Sequence, residues 1–363
     1  MLSTILTFLL VLSILVLVHE LGHFIVARLA GVWVEEFGFG IPPRIVGKKI
    51  GNTIYSINLL PFGGFVKLHG ESSDQGIKKP KKAFLNKSKV QRLGILLAGV
   101  AMNFLLAVVA FGIVYSLTGV PRESKNVKIV DIAAGSPAQI SGLVVGDVVR
   151  KVGSEEVKTT QEFIALIELE KGNKVQIEID SGKKIIVSPR ENPPEGEGPL
   201  GVAISTMEIY FPPIWQRPFY GAYYGFQDAY FWGREVVGGI GTVLSGLSRG
   251  QAPRDLAGPV GIYALTSEVS KFGTLALIHF VGILSVNLAI LNILPFPALD
   301  GGRVLFVIIE TFIGKRITPK VEAAFHTVGM AILLFLLLAI TARDIQRLIS
   351  AGSLSSFVEG VLR

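Results

Sequence analysis

The sequence predicts a polytopic α-helical membrane protein: four transmembrane helices, a small membrane-associated β element in the first loop, and one extracytoplasmic α+β domain. Three observations carry this. Half of the 363 residues are hydrophobic and only 17% are charged, with a mean hydropathy of +0.54. Four apolar runs lie near Leu2–Leu29, Leu93–Leu117, Leu275–Leu294 and Val321–Ile340. Each is about the 20 residues that a helix needs to cross a bilayer. The stretch between the second and third runs reads instead as short apolar strands separated by turn residues. The chain therefore divides into 1–118 with two spans and the β loop, 119–207 as the soluble domain, 208–270 as an interfacial amphipathic linker, and 271–363 with the last two spans.

The first run is apolar from Ile5 to Val18, broken only by Thr7 and Ser13, and then reads His19-Glu20-Leu21-Gly22-His23. No small-residue cleavage site follows the apolar core, so the segment reads as a retained helix rather than a signal peptide. Lys and Arg crowd the next loop, from Arg44 through Lys78, Lys79, Lys81 and Lys82 to Arg92. A basic cluster can bind nucleic acid, but beside apolar spans it marks a cytoplasmic loop, and no nucleic acid partner is expected. The N-terminus and residues 119–270 then face outward, and the third span returns to the cytoplasm. Within the loop, Val34–Phe39 and Thr53–Asn58 read as short strands, with Gly63-Gly64 turning into Phe65–Leu68. An exposed edge here could pair with an unwound substrate helix; the alternative is a sheet that only seals the cytoplasmic side. His69 has no partner spacing and reads as structural or solvated.

The outward domain spans about Lys125–Ile204, with strands at Val127–Ile132, Val175–Ile179 and Lys184–Val187. An aromatic belt from Tyr210 to Trp232 follows, and Tyr and Trp favour the membrane–water interface. It reads as an amphipathic helix lying in the outer interface. Arg234 and Glu235 argue against a fifth span. The third span ends in Asn292-Ile293-Leu294-Pro295-Phe296-Pro297-Ala298-Leu299-Asp300-Gly301-Gly302. Its prolines and glycines stop the helix and leave irregular backbone, tolerated at membrane depth when it is buried in protein or lines a polar cavity.

Ionisable side chains inside a span are costly and persist mainly where they have work. Residues i and i+4 share a helix face, so His19 and His23 can reach one metal ion, with Glu20 offset as general base for bound water. The inward-running third span brings Asp300 to the same depth, and catalytic zinc commonly takes three protein ligands. With no cysteine in the chain, disulfides and thiolate zinc sites are excluded. Two function classes fit: a zinc intramembrane protease, or a non-catalytic membrane scaffold or metal transporter using the same polar cluster. A transporter spreads its polar residues along a path, whereas these converge on one locus beside a base.

His19-Glu20-Leu21-Gly22-His23 with Asn292-x-x-Pro295-x-x-x-Leu299-Asp300-Gly301 resembles the site-2 protease family of intramembrane metalloproteases, above all the bacterial regulator-of-sigma-E protease type. Phe37-Gly38-Phe39-Gly40, Pro61–Lys67, Met102-Asn103-Phe104, Gly258-Pro259-Val260-Gly261 and Ser285–Ile290 resemble further motifs of that family. The resemblance implies one Zn2+ held by His19, His23 and Asp300, with Glu20 as base and a place in the bacterial plasma membrane, active site toward the cytoplasm. It also implies substrate contacts at Asn287, Asn292, Gly38, Phe39 and Gly40. The implied substrates are single-span membrane proteins already trimmed by another protease. The S-P-A-x-x-x-G-L-x-x-G-D pattern from Ser136 to Asp147 resembles a bacterial, circularly permuted PDZ domain, in which Leu200-Gly201-Val202 would be the carboxylate-binding turn. Many relatives carry two such domains; this chain has room for one.

Overall fold

Unbroken helix-forming apolar sequence makes the first element, α1 (Leu2–Leu29), whose buried positions Val11, Leu15, His19, Gly22, His23 and Ala27 recur every three or four residues and form one face. That face meets α2 (Lys89–Thr118). The structure, a computed structural model, describes residues 2–71, 77–250, 257–315 and 317–362. It contains two compact units, Met1–Thr118 with Trp215–Arg363, and Gly119–Ile214.

In the first unit, α2 and α7 (Thr274–Ile293) pack together beside α1. With α9 (Pro319–Ala351), these are the described helices long and apolar enough to cross a membrane. Between α1 and α2, β1 (Val34–Ile50) and β2 (Thr53–Leu68) form one antiparallel sheet. The strands are longer than the sequence predicts, and β2 runs unbroken through Gly63-Gly64 instead of turning there. The sheet also folds back on itself. Phe37 pairs with both Val66 and Tyr55, and Gly38 with both Phe65 and Ser56. Gly38 and Phe39 therefore lie between two stretches of β2 and are not a free edge, contrary to expectation. The reversal uses Gly40, at φ +81°, while Asn58 Nδ2 donates to the Phe39 and Gly40 carbonyls.

The linker also differs from its sequence reading. It holds α5 (Arg217–Ser248) and α6 (Pro259–Lys271). Rather than lying across neighbouring helices, α5 packs antiparallel along α2. Ser116 Oγ donates to the Arg217 carbonyl, Gly112 meets Gly221, and Phe104 meets Phe226. Gly221, Gly225 and Ala229 explain the fit: small residues four apart leave a shallow groove that admits a neighbouring backbone. The Gly258-Pro259-Val260-Gly261 motif starts α6, and Asp344 of α9 caps it by accepting the Gly258 and Gly261 N–H groups, both at 2.9 Å.

After α7 the chain turns and immediately forms a helix absent from the sequence reading, α8 (Asp300–Ile313). The last helix, α10 (Leu354–Leu362), packs on α6 through Phe357 and Val358.

The second unit is a six-stranded antiparallel sheet built from β3 (Val120–Ile132), β4 (Val148–Val152), β5 (Glu155–Glu156), β6 (Val175–Ile179), β7 (Lys184–Val187) and β8 (Val202–Tyr210). Strand order is β7-β6-β4-β3-β8, with β5 on β4. Two short helices complete it. Ser136 caps α3 (Pro137–Ser141), and a Thr159–Glu162 capping box starts α4 (Thr160–Leu169). Inward-facing Val127, Ile129, Val149, Ile177 and Phe163 form its core.

Candidate metal centre

One turn of α1 separates His19 from His23, and their Nε2 atoms stand 3.1 Å apart. Asp300, the first residue of α8, brings Oδ2 to 3.0 Å from His19 Nε2 and 3.2 Å from His23 Nε2. The three atoms form a near-equilateral triangle. Tetrahedral ligands about 2.0–2.1 Å from zinc are separated by about 3.3 Å, so the triangle has nearly the right edge. The donor chemistry also fits. His23 Nδ1 donates to the Ile95 carbonyl at 2.8 Å, which leaves its Nε2 lone pair pointing at the triangle. Asp300 Oδ2 is buried and receives no hydrogen bond despite two nitrogens nearby. A cation satisfies all three atoms at once. Among the described residues this is the one His, Asp and Glu cluster whose ligand atoms converge.

The turn before α8 delivers Asp300. Ala298 adopts a left-handed conformation at φ 71°, and its N–H donates to His326 Nδ1 at 2.8 Å. Gly301 lies against the Ile293 and Leu294 carbonyls, where any Cβ would collide. Buried ions then fix α8 on its neighbours. Arg92 Nη1 of α2 donates to Glu310 Oε2 at 2.7 Å, and Lys89 Nζ donates to the Glu310 carbonyl at 3.0 Å. Arg303 pairs with Glu71 at the end of the β element. On the histidine side, Gly22 meets the Ala98 carbonyl, and Gly99 meets both imidazoles. Those two glycines let α1 and α2 approach closely enough to bury the rings.

Glu20 is within electrostatic reach of His19, His23 and Asp300. It also borders β2, since a Cβ on Gly64 would stand 3.3 Å from Glu20 Cγ. Asn287 and Asn292 are half-buried on α7. Five residues apart, they are rotated by about 140° and do not share a face. Leu200, Gly201 and Val202 belong to the second unit, whereas the triangle belongs to the first. Gly201 adopts φ +67°, but its N–H is committed to the Gly198 carbonyl, which leaves one fewer amide for a carboxylate. His69 is buried, with Nδ1 at 2.8 Å from Glu35 and Nε2 accepting the Lys79 N–H. Gly99, Arg92 and Glu310 were not legible as site residues in the sequence. Their signals were a glycine and a charge at the ends of apolar helices.

The family model for peptidase family M50 matches residues 7–336. The chain belongs to this family, the site-2 proteases. A Clostridium perfringens protein described as a zinc metalloprotease is 36% identical, covering 93% of this chain and 97% of the relative. The zinc metalloprotease RasP of Geobacillus kaustophilus is 30% identical over 95% of this chain and 98% of its own length. The regulator of sigma-W protease RasP of Bacillus subtilis is 28% identical, with 95% and 99% covered. This M50 chain is thus a zinc metalloprotease of the membrane, and zinc is its metal. Membership decides against the scaffold and transporter alternatives.

Proposed function

We propose that this M50 protease hydrolyses peptide bonds within or beside the transmembrane segments of single-span membrane proteins, with His19, His23 and Asp300 as zinc ligands. One observation carries this reading. His19, His23 and Glu20 sit on α1, a helix apolar enough to cross a bilayer, Asp300 of α8 completes the donor triangle, and Glu20 borders the β element. When bound, zinc supplies a Lewis acid and lowers the pKa of bound water to about 7. Glu20 takes the water proton and hands it to the leaving amine. Asn292 is a donor for the scissile carbonyl or the substrate backbone, and Asn287 a second substrate contact. A helix hides its amides, so the substrate must first extend. Since Gly38 and Phe39 lie within paired backbone and Gly40 makes the reversal beside them, they serve this step by shaping the sheet that receives the strand.

The second unit acts as a single PDZ-like domain on the outward side. The name of the Bacillus subtilis relative, a regulator of sigma-W protease, supports anti-sigma-factor-like substrates. In this reading they are first trimmed by another protease, and remnant signal peptides are a second substrate class. The test is purified protein in detergent with a panel of single-span peptides, with and without chelator. Cleavage should stop on chelation and return with zinc. Glu20→Gln should keep its zinc yet cut several orders of magnitude more slowly. Activity within about tenfold of wild type would mean that another group activates the water.

A further inference from the structure

We propose that Asn103 is a positioning residue for the metal: its side-chain oxygen accepts the Nδ1 proton of His19 and so keeps His19 Nε2 free as a ligand. Asn103 lies in α2, fully buried, facing α1. An amide so placed in an apolar helix is costly unless both its ends are satisfied. Its Nδ2 is 3.4 Å from His19 Nδ1, and its Oδ1 is buried with no partner.

The first of these facts conflicts with metal binding, and one rotation removes that conflict. If the amide nitrogen faces His19, Nδ1 must offer a lone pair, so the ring proton sits on Nε2. Yet Nε2 is the atom that points into the triangle with His23 and Asp300. A half-turn of the amide exchanges oxygen for nitrogen. Nδ1 then keeps the proton, Asn103 Oδ1 accepts it, and Nε2 presents its lone pair. His23 has the same arrangement already, through the Ile95 carbonyl at 2.8 Å. Ile95 and Asn103 are two turns apart on α2, so this helix orients both rings from behind. Its backbone is held at that level. Ser285 Oγ of α7 donates to the Asn103 carbonyl at 2.8 Å, and Gly99 gives the rings room.

The inference rests on the ligand set proposed above, so the experiment carries a control for it. Zinc affinity is measured by chelator competition at fixed pH for Asn103→Leu, Asn103→Ala, Asn103→Asp and Asp300→Asn, with apoprotein unfolding recorded for each. Asn103→Leu and Asn103→Ala should each weaken zinc by about 10–100-fold. Asn103→Asp retains an acceptor and should stay within about threefold of wild type, a rescue that a packing role does not produce. Wild-type affinity in the Leu and Ala variants overturns the proposal, as does an Asp variant no better than Ala. Should Asn103→Leu fail to fold, the Ala and Asp pair decides alone. If Asp300→Asn keeps its zinc, the ligand set is wrong and the role of Asn103 falls with it. If only Asp300→Asn loses zinc, the ligand set stands and Asn103 is structural.

Discussion

Gly99 tolerates no side chain, because a Cβ there would stand 2.6 Å from His19 Cε1 and collide with His23 Nε2. As a proposed ligand, Asp300 contributes the negative charge that two neutral imidazoles lack. We predict that Asp300→Asn, similar in volume, reduces bound zinc to a small fraction, read by elemental analysis of purified protein. Gly99→Ala should do the same by displacing the rings, although it touches no ligand chemistry. Stoichiometric zinc in both variants would rule out this centre. At this scale the sequence was informative in an uneven way. His19 and His23 were legible because a helix converts a spacing of four into a shared face. Asp300 was legible through depth and the Pro-Gly break. Gly99 was not, and Asn103 stood out only as part of a family-like motif without a role, since what makes them matter is contact with a different helix. No single-sequence pattern distinguishes a glycine facing two imidazoles from one facing lipid.

Helix α8 carries Asp300, so whatever fixes α8 fixes the proposed third ligand. Arg92 and Glu310 are almost wholly buried, and their ion pair joins α2 to α8 beside the Lys89 contact. Removing one partner strands the other as an unpaired buried charge, which costs about 3–5 kcal/mol. Glu310→Ala should therefore destabilise the protein by that amount and weaken zinc retention, although Glu310 lies almost three turns from Asp300. Denaturant unfolding and chelator competition read the two effects. Unchanged stability would show that the pair contributes nothing net. The expected spans near Leu2–Leu29, Leu93–Leu117, Leu275–Leu294 and Val321–Ile340 lie within α1, α2, α7 and α9 to within one residue, because about 20 apolar residues are a strong local signal. Three elements departed from expectation for nonlocal reasons. The Pro-Gly run hid α8, whose first turn is held by Gly301 and Gly302 packing on carbonyls of the preceding turn. The aromatic belt suggested an interfacial helix, while the Gly221, Gly225 and Ala229 stripe seats α5 along α2. The doubled pairing of β1 depends on register, which short strands do not announce.

A protease that cuts within the bilayer, as proposed here, needs a way to refuse folded ectodomains, and the second unit is the candidate for that screen. Its sequence resembles a PDZ domain, and the proposed topology, with the unit between the second and third spans, assigns it to the outward side. It can act by size, excluding any substrate with a bulky outer domain, or by tethering, with Leu200, Gly201 and Val202 receiving a newly made C-terminus. Strand pairing makes the deletion clean. Val120 pairs with Tyr210, Arg122 with Glu208 and Glu123 with Met207, so the two ends of the unit run side by side. Removing Lys125–Ile204 and joining Ser124 to Ser205 through a short glycine turn leaves a hairpin stub. Under exclusion, this deletion should raise cleavage of an untrimmed substrate, whereas under tethering it should lower cleavage of a trimmed one. Substitutions at Leu200 and Gly201 should matter only under tethering. Exclusion is the stronger expectation, because the Gly201 N–H is already committed to Gly198 and leaves a weaker carboxylate cradle. Cleavage assays on a matched pair of trimmed and untrimmed single-span substrates read the outcome directly. Unchanged rates for both after the deletion would mean that the unit does not screen, and that selection lies with the β element and the helices around the zinc.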